Sequence, residues 1–318
     1  MNEKTELTET EYTHISGTDG LPLSVLRIEP ADPDRIKGII QIVHGKNEHK
    51  QRYHEIMRFA ASKGFIVIAN DHRGHGDSVR VPEDRGYMYK DGYKALVNDV
   101  HEITLEVKEY AAERCSGREL PLTMLGHSMG SLAARCYIKK YDTDIDKLCL
   151  TGSPSKSEKM KSGLRMIRFL EFLEGKRAQS RFARFVIMWL PYEFKYRREG
   201  MRNSWTNTDR DAVIQQNNDP LCRFAFTLSA FEEMIKMSME AYSEDWSPKK
   251  PGLPIRFFSG EDDPCAKSKQ KFAEAVRALK TAGYTNVRGK MYKGMRHDIL
   301  REKQKHRVFD DILRFIED

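Results

Sequence analysis

The sequence predicts an α/β fold in which a mostly parallel sheet is covered by helices on both faces and a mostly helical segment is inserted late in the chain. Three observations carry this. Short apolar runs alternate with helix-length amphipathic ones between residues 38 and 152, the pattern of strand–helix–strand units. The alternation stops over residues 154–250 and resumes at 254. At 318 residues the chain is also long for one undivided core, which fits a large domain carrying an insertion. The expected division is a core of residues 1–153 and 251–318 with a helical cap over 154–250.

Residues 12–16 and 22–28 read as two strands around "GTDGLP", because Asp19-Gly20 is a strong hairpin signal. "GIIQIV" (38–43) is a buried strand, "RYHEIMRFAASKG" a helix stopping at Gly64, and "FIVIAN" the next strand. A helix over 94–112 leads to the strand "PLTML", a helix reaching residue 140 and the strand "KLCLTG" from 147. In the insertion, "GLRMIRFLEFLEG" and "RFARFVIMWL" read as helices. "PIRFFSG" (254–260), a helix over 266–282, "NVRGKMY" and a helix from about residue 301 complete the core.

Composition narrows the functional classes. Hydrophobic residues at 39% and charged ones at 32% describe a globular chain with a well-charged surface. The N-terminal "MNEKTELTETEYTHISG" lacks the basic start and apolar core of a secretory leader, and "FVIMWL" is far short of the roughly 20 residues of a membrane-spanning helix. Cys115, Cys136, Cys149, Cys222 and Cys265 show no paired spacing, so free thiols in a cytoplasmic setting and no metal site or other cofactor are expected. The net charge of +7 is local: residues 156–202 hold thirteen Lys or Arg against five Asp or Glu, an excess of eight, so the remainder is nearly balanced. No nucleic-acid-binding motif accompanies this basic stretch, and a nucleic-acid partner is not expected.

The chemistry begins at "TMLGHSMGSLAARCYIKK", residues 123–140. Gly126 and Gly130 flank Ser128 at two positions either side, between an apolar strand and a helix. In that context G-x-S-x-G marks a sharp turn with the serine in a strained conformation and its hydroxyl exposed above the sheet. A hydroxyl needs a base to take its proton and a third group to orient the base. In this arrangement the acid and then the histidine follow the serine in sequence. "FFSGEDDP" supplies carboxylates after one strand, and "YKGMRHDIL" supplies His297 after the next. His306 also lies downstream but falls on the surface of the last helix pattern. Among Glu261, Asp262 and Asp263, the last is preferred because Pro264 biases it toward an extended conformation, the others having turn chemistry as their plain explanation.

An oxyanion on the attacked carbonyl needs preorganised donors. One is the backbone N–H of Met129; the other comes from the loop "VHGKNEH", where Gly45 permits close approach and leaves the Lys46 N–H. No side chain is required for that task, and a Lys46 side chain pointing into solvent explains the residue as well as a substrate contact does.

With these residues in view, the chain resembles the monoacylglycerol lipase and lysophospholipase branch of the α/β-hydrolases. The matching pieces are "VHGKNEHKQRY", "ANDHRGHGDS", "LGHSMGSLAARCYI", "DPLCRFAFT", "SGEDDP" and "GMRHDIL", spread from residue 36 to the C-terminus. The resemblance implies the α/β-hydrolase fold, a triad of Ser128, Asp263 and His297, and a structural role for His72 and His75 in the segment Asp71 to Ser78. It departs at Lys46, where the family has a small or apolar residue.

The leading functional reading is hydrolysis of a carboxylic ester, a monoacylglycerol or lysophospholipid, through an acyl-enzyme. The alternatives keep the triad with a small soluble ester, an amide or a peptide as substrate, or with acyl transfer to an alcohol; the most distant is a non-catalytic binding protein. The expected partner is a small ester with an acyl chain. The alternating basic and bulky apolar residues of the cap suit a helix over a pocket or one resting on an anionic membrane, while packing onto the core explains them more plainly.

Overall fold

The computed structural model describes residues 5–318, so the first four residues of the N-terminal stretch read above lie outside it. One eight-stranded sheet runs through the molecule in the order β1-β2-β4-β3-β5-β6-β7-β8. The strands are β1 (Leu7–Ile15), β2 (Pro22–Pro30), β3 (Gly38–Val43), β4 (Phe65–Asn70), β5 (Leu122–His127), β6 (Lys147–Thr151), β7 (Ile255–Gly260) and β8 (Val287–Tyr292). Among the described residues, only the pairings of β2, with β1 and with β4, are antiparallel. The Asp19-Gly20 hairpin signal holds, with Gly20 at φ +69°.

Period-two alternation sorts side chains to the two faces. Ile39 and Val43 of β3 join Leu122 and Met124 of β5 beneath α2 (Gly92–Arg114), α3 (Met129–Tyr141) and, further along the chain, Lys269–Thr281. Ile40 and Ile42 face the other way, with α1 (His54–Ser62) and the C-terminal helix Lys305–Glu317. Strands buried on both faces have no solvated side to present, which is why β3, β4 and β5 read as mostly apolar runs, the buried Gln41 of β3 donating to the Val100 carbonyl.

Between β6 and β7 the chain is helical. It forms α4 (Met160–Glu174), the short α5 (Arg181–Arg184), π-helical turns over Phe185–Glu193, α6 (Phe194–Tyr196), α7 (Arg210–Asn218) and α8 (Leu228–Ala241). Pro191 lies within the π-helical turns and brings no backbone N–H to them. The helix α4 buries Ile167 and Leu170 on α8 but leaves Phe169, Phe172 and Leu173 exposed, so packing onto the core accounts for only part of its apolar surface. The two remaining helices are α9 (Lys269–Thr281) and α10 (Lys305–Glu317). Among the described residues, no helix is long and apolar enough to cross a membrane.

The chain leaves β3 for β4 on one side and enters β5 on the other, which opens a crevice at the carboxyl ends of β3 and β5. Lys46, Ser128, Asp263 and His297 lie a few residues beyond the ends of β3, β5, β7 and β8. The topology therefore gathers residues from four distant segments at one edge of the sheet.

Candidate active site

Ser128 stands between β5 and α3 with φ 52° and ψ −117°, outside the conformations an L residue normally adopts. The flanking glycines have a steric cause. A Cβ at Gly130 would lie 2.0 Å from the carbonyl oxygen of Val43, and one at Gly126 would lie 2.7 Å from that of Gly130. Either contact is with backbone and would push the turn apart.

The Ser128 Oγ lies 2.8 Å from Nε2 of His297. On the far side of the ring, Nδ1 lies 3.0 and 3.1 Å from the two carboxylate oxygens of Asp263. Asp263 is itself held: Oδ1 accepts the Cys265 N–H at 2.8 Å, and Oδ2 accepts the Ser259 hydroxyl at 3.1 Å. The neighbouring acids point elsewhere, Glu261 to Lys269 at 3.0 Å and Asp262 into solvent. His306 is exposed on α10.

Burial works against charge on both members of the buried pair. For His297 the Asp263 carboxylate outweighs it and raises the imidazole well above its ordinary value. For Asp263 the reciprocal pull of His297, with hydrogen bonds from His297, Cys265 and Ser259, outweighs burial and lowers the carboxyl.

The backbone N–H groups of Lys46 and Met129 have no acceptor among the described residues, as a pair awaiting an oxyanion would not. Gly45 lets the loop close in, since a Cβ there would meet the Ser128 Cβ at 3.0 Å. Below the loop lie His44, His72 and His75. Rings 44 and 72 stack at 3.9 Å, and the His72 N–H donates to His44 Nε2 at 2.9 Å. Burial lowers all three, His72 to about 3 and His75 to about 4, which keeps them neutral props.

The Lys46 side chain corrects the solvent-pointing reading. It turns inward, donates to Asn47 Oδ1 and lies 4.9 Å from the centre of the Phe226 ring. Burial, then the like charges of Arg202 and Arg184, lowers its pKa to about 7.

Sequence reasoning also missed the supports of the site. Glu48 and Arg52 are four residues apart and buried together, a spacing that could have flagged them. Trp205, whose ring lies 4.9 Å from His297 and stacks on Tyr192, sits in the helical stretch with no motif around it.

A cavity of about 590 Å³ opens over Ser128 and His297, walled by Leu132, Met188, Trp189, Phe226 and Phe231 among others. Its size suits a small molecule. Two clusters, His49–Asp219–Cys222 and Asp263–Cys265–His297, bring three metal-ligand atom types together. Each is one short of a closed four-ligand site, and in each the imidazole is hydrogen-bonded to the carboxylate.

Residues 34–304 match the model of the family described as serine aminopeptidase, S33. The chain belongs to that family. Among its curated relatives this hydrolase is 30% identical over 125 residues to a monoglyceride lipase of Homo sapiens, covering 39% of this chain and 37% of that one. It is 28% identical over 117 residues to a monoacylglycerol lipase of Mycolicibacterium smegmatis, covering 36% and 38%. The matched segment thus spans a little over a third of those relatives' length. Similar solved structures include a carboxyl esterase from Bacillus coagulans, with a TM-score of 0.85, 24% identity and 97% and 98% of the two chains covered. A monoglyceride lipase from Saccharomyces cerevisiae has a TM-score of 0.70, 17% identity and coverages of 98% and 94%. These likenesses establish the α/β-hydrolase fold.

Proposed function

We propose that this α/β-hydrolase cleaves carboxylic esters of monoacylglycerol or lysophospholipid type through an acyl-enzyme on Ser128. The observation that carries the reading is the unbroken line from Ser128 Oγ through the His297 ring to Asp263 at the floor of a cavity whose wall is apolar in part. The names of those two curated relatives favour a monoacylglycerol.

In this mechanism the Ser128 oxygen attacks the ester carbonyl carbon as its proton passes to His297 Nε2. Asp263 holds the tautomer with Nδ1–H toward itself and stabilises the imidazolium. The carbonyl oxygen takes the negative charge and receives the Lys46 and Met129 N–H groups. Collapse breaks the bond to the alcohol, which leaves with the proton from Nε2. A water molecule, deprotonated by the same nitrogen, then releases the fatty acid and restores the serine.

Labelling with a serine-reactive fluorophosphonate, followed by turnover of a monoacylglycerol and a lysophospholipid sharing one acyl chain, tests the reading. Labelling at Ser128 with turnover of either supports it. Labelling without turnover moves the assignment to a small soluble ester, an amide or an acyl acceptor other than water, and failure to label favours a non-catalytic binding role.

A resting place on an anionic lipid surface is favoured by the exposed face of the helical stretch. Among the described residues, eight of the twelve exposed large apolar side chains fall between Phe169 and Phe194, with Phe172 86% exposed. They are interspersed with the basic excess of residues 156–202. Apolar anchors among cations suit shallow insertion beneath acidic head groups. Co-sedimentation should be stronger with vesicles containing phosphatidylserine than with phosphatidylcholine alone, and weaker for Phe169→Ser/Phe172→Ser. Equal binding to both vesicle types, or no effect of the double substitution, would contradict it.

A further inference from the structure

The mechanism employs the backbone of Lys46 and leaves its side chain without a task. An ammonium offers three donors. Here one meets the Asn47 amide oxygen, whose own nitrogen is committed to the Phe224 carbonyl at 2.7 Å. Phe226 covers one side of the charge. Among the described residues the hydrogen-bond partner of Lys46 Nζ is the Asn47 amide oxygen and not a carboxylate, although the group is recessed in the cavity wall. A recessed cation without a counter-ion is costly, so the arrangement asks for an anion to complete it.

The rest of the cavity wall does not supply one. Glu48 and Asp298 are spent on Arg52, at 3.3 and 3.1 Å. Glu193 accepts the backbone N–H of Asn203 at 3.1 and 3.0 Å and faces Arg202 first, so its pull on Lys46 is weaker than the push of Arg202 and Arg184. Arg184 and Arg202 line the same cavity from the helical stretch and add positive charge toward Lys46. Cations therefore outnumber uncommitted carboxylates around the space where a substrate would lie.

We propose that Lys46, supported by Arg184 and Arg202, forms an anion subsite that makes this enzyme prefer esters bearing a phosphate or carboxylate over neutral esters of the same acyl chain. The inference rests on the ester-hydrolase reading and assigns its specificity. The bound anion contributes charge-assisted hydrogen bonds to Nζ and keeps the lysine protonated where the vacant site, with its pKa near 7, would lose the proton.

The test compares three esters of one short acyl chain: a monoacylglycerol, its glycerol-phosphate counterpart, and a monoacylglycerol hemiester ending in a free carboxylate. Wild type, Lys46→Met, Lys46→Arg and Arg184→Ala are assayed for kcat/KM, and the affinity of each ester is measured on the Ser128→Ala background. The wild-type ratio of anionic to neutral ester should exceed one and fall about tenfold in Lys46→Met, with partial recovery in Lys46→Arg and a smaller fall in Arg184→Ala, which sits at the exposed mouth. The phosphate and carboxylate arms show which anion is read. An unchanged ratio in both Lys46→Met and Arg184→Ala overturns the subsite while leaving ester hydrolysis intact. Absence of turnover for all three esters, with affinity still dependent on charge and on Lys46, overturns the hydrolase reading while supporting the subsite.

Discussion

The Glu48 carboxylate accepts the backbone N–H of Gly45 at 2.8 Å, which fixes the peptide immediately before the proposed oxyanion donor Lys46. The same oxygen accepts the Tyr53 hydroxyl at 2.8 Å, and the other accepts Arg52 Nε at 3.3 Å. Arg52 continues to Asp298 at 3.1 Å, the residue after His297. Burial alone would raise the Glu48 pKa, but the charges of His127 and Arg52 and the bonds from Tyr53 and Gly45 bring it down to about 2. Glu48 is thus an ionised strut between the loop after β3 and the loop after β8.

Glu48→Gln should therefore act through position. It keeps the size of the side chain but loses an acceptor and leaves Arg52 with half its counter-charge. A displaced oxyanion donor is expected to lower kcat by about tenfold to a hundredfold, somewhat less than outright removal of such a donor, with little change in KM. A fall confined to KM would contradict the strut.

Ser128→Ala and His297→Ala should each lower kcat/KM by roughly four to six orders of magnitude, and the double substitution should be little worse than either. Steady-state kinetics at one pH suffices. Losses that multiply would mean the two residues act independently, against the 2.8 Å contact between them.

The raised pKa of His297 sets the pH dependence. The base works only when neutral, so kcat/KM should rise with pH, with its inflection above 6.5. Asp263→Asn removes the charge that raises it, so the inflection should move downward while the rate falls by about 10⁴-fold through the wrong tautomer. An inflection that stays in place in Asp263→Asn would assign it to another group.

The fold was legible because strands buried on both faces must be mostly apolar and helices covering them must be amphipathic, so the period of the sequence reports the element. The proposed nucleophile was legible because its turn excludes side chains at Gly126 and Gly130 by contact with backbone. What escaped is what depends on side-chain direction. Nothing in "VHGKNEH" says whether Lys46 turns outward or over Phe226, because that choice is made by Asn47 and by residues about 180 positions away. Trp205 was invisible for the same reason: its position against His297 comes from the packing of the helical stretch.

The stacked histidines beneath the loop predict an acid sensitivity separate from catalysis. His44, His72 and His75 have folded-state pKa values pushed below the ordinary 6.5 by burial first, then by neighbouring imidazoles for His44 and His72 and by Lys46 for His75. As pH falls through 6.5 the unfolded chain takes up protons that the folded one refuses, so stability is present above that pH and is lost below it, each group contributing up to about 1.4 kcal/mol per pH unit. His14 does not offset this. Its pKa is raised to about 9 chiefly by Glu106, so its contribution is complete below 6.5 and lost only as pH rises toward 9. The denaturation midpoint should therefore drop between pH 6.5 and 5, before most carboxylates titrate, and His75→Asn should flatten part of that drop, the rest belonging to His44, His72 and the likewise lowered His101 and His127. A slope in this window that is the same in wild type and His75→Asn would mean that the histidines take up their protons without unfolding the loop, and that the stack is not what fixes the peptide between Val43 and Glu48.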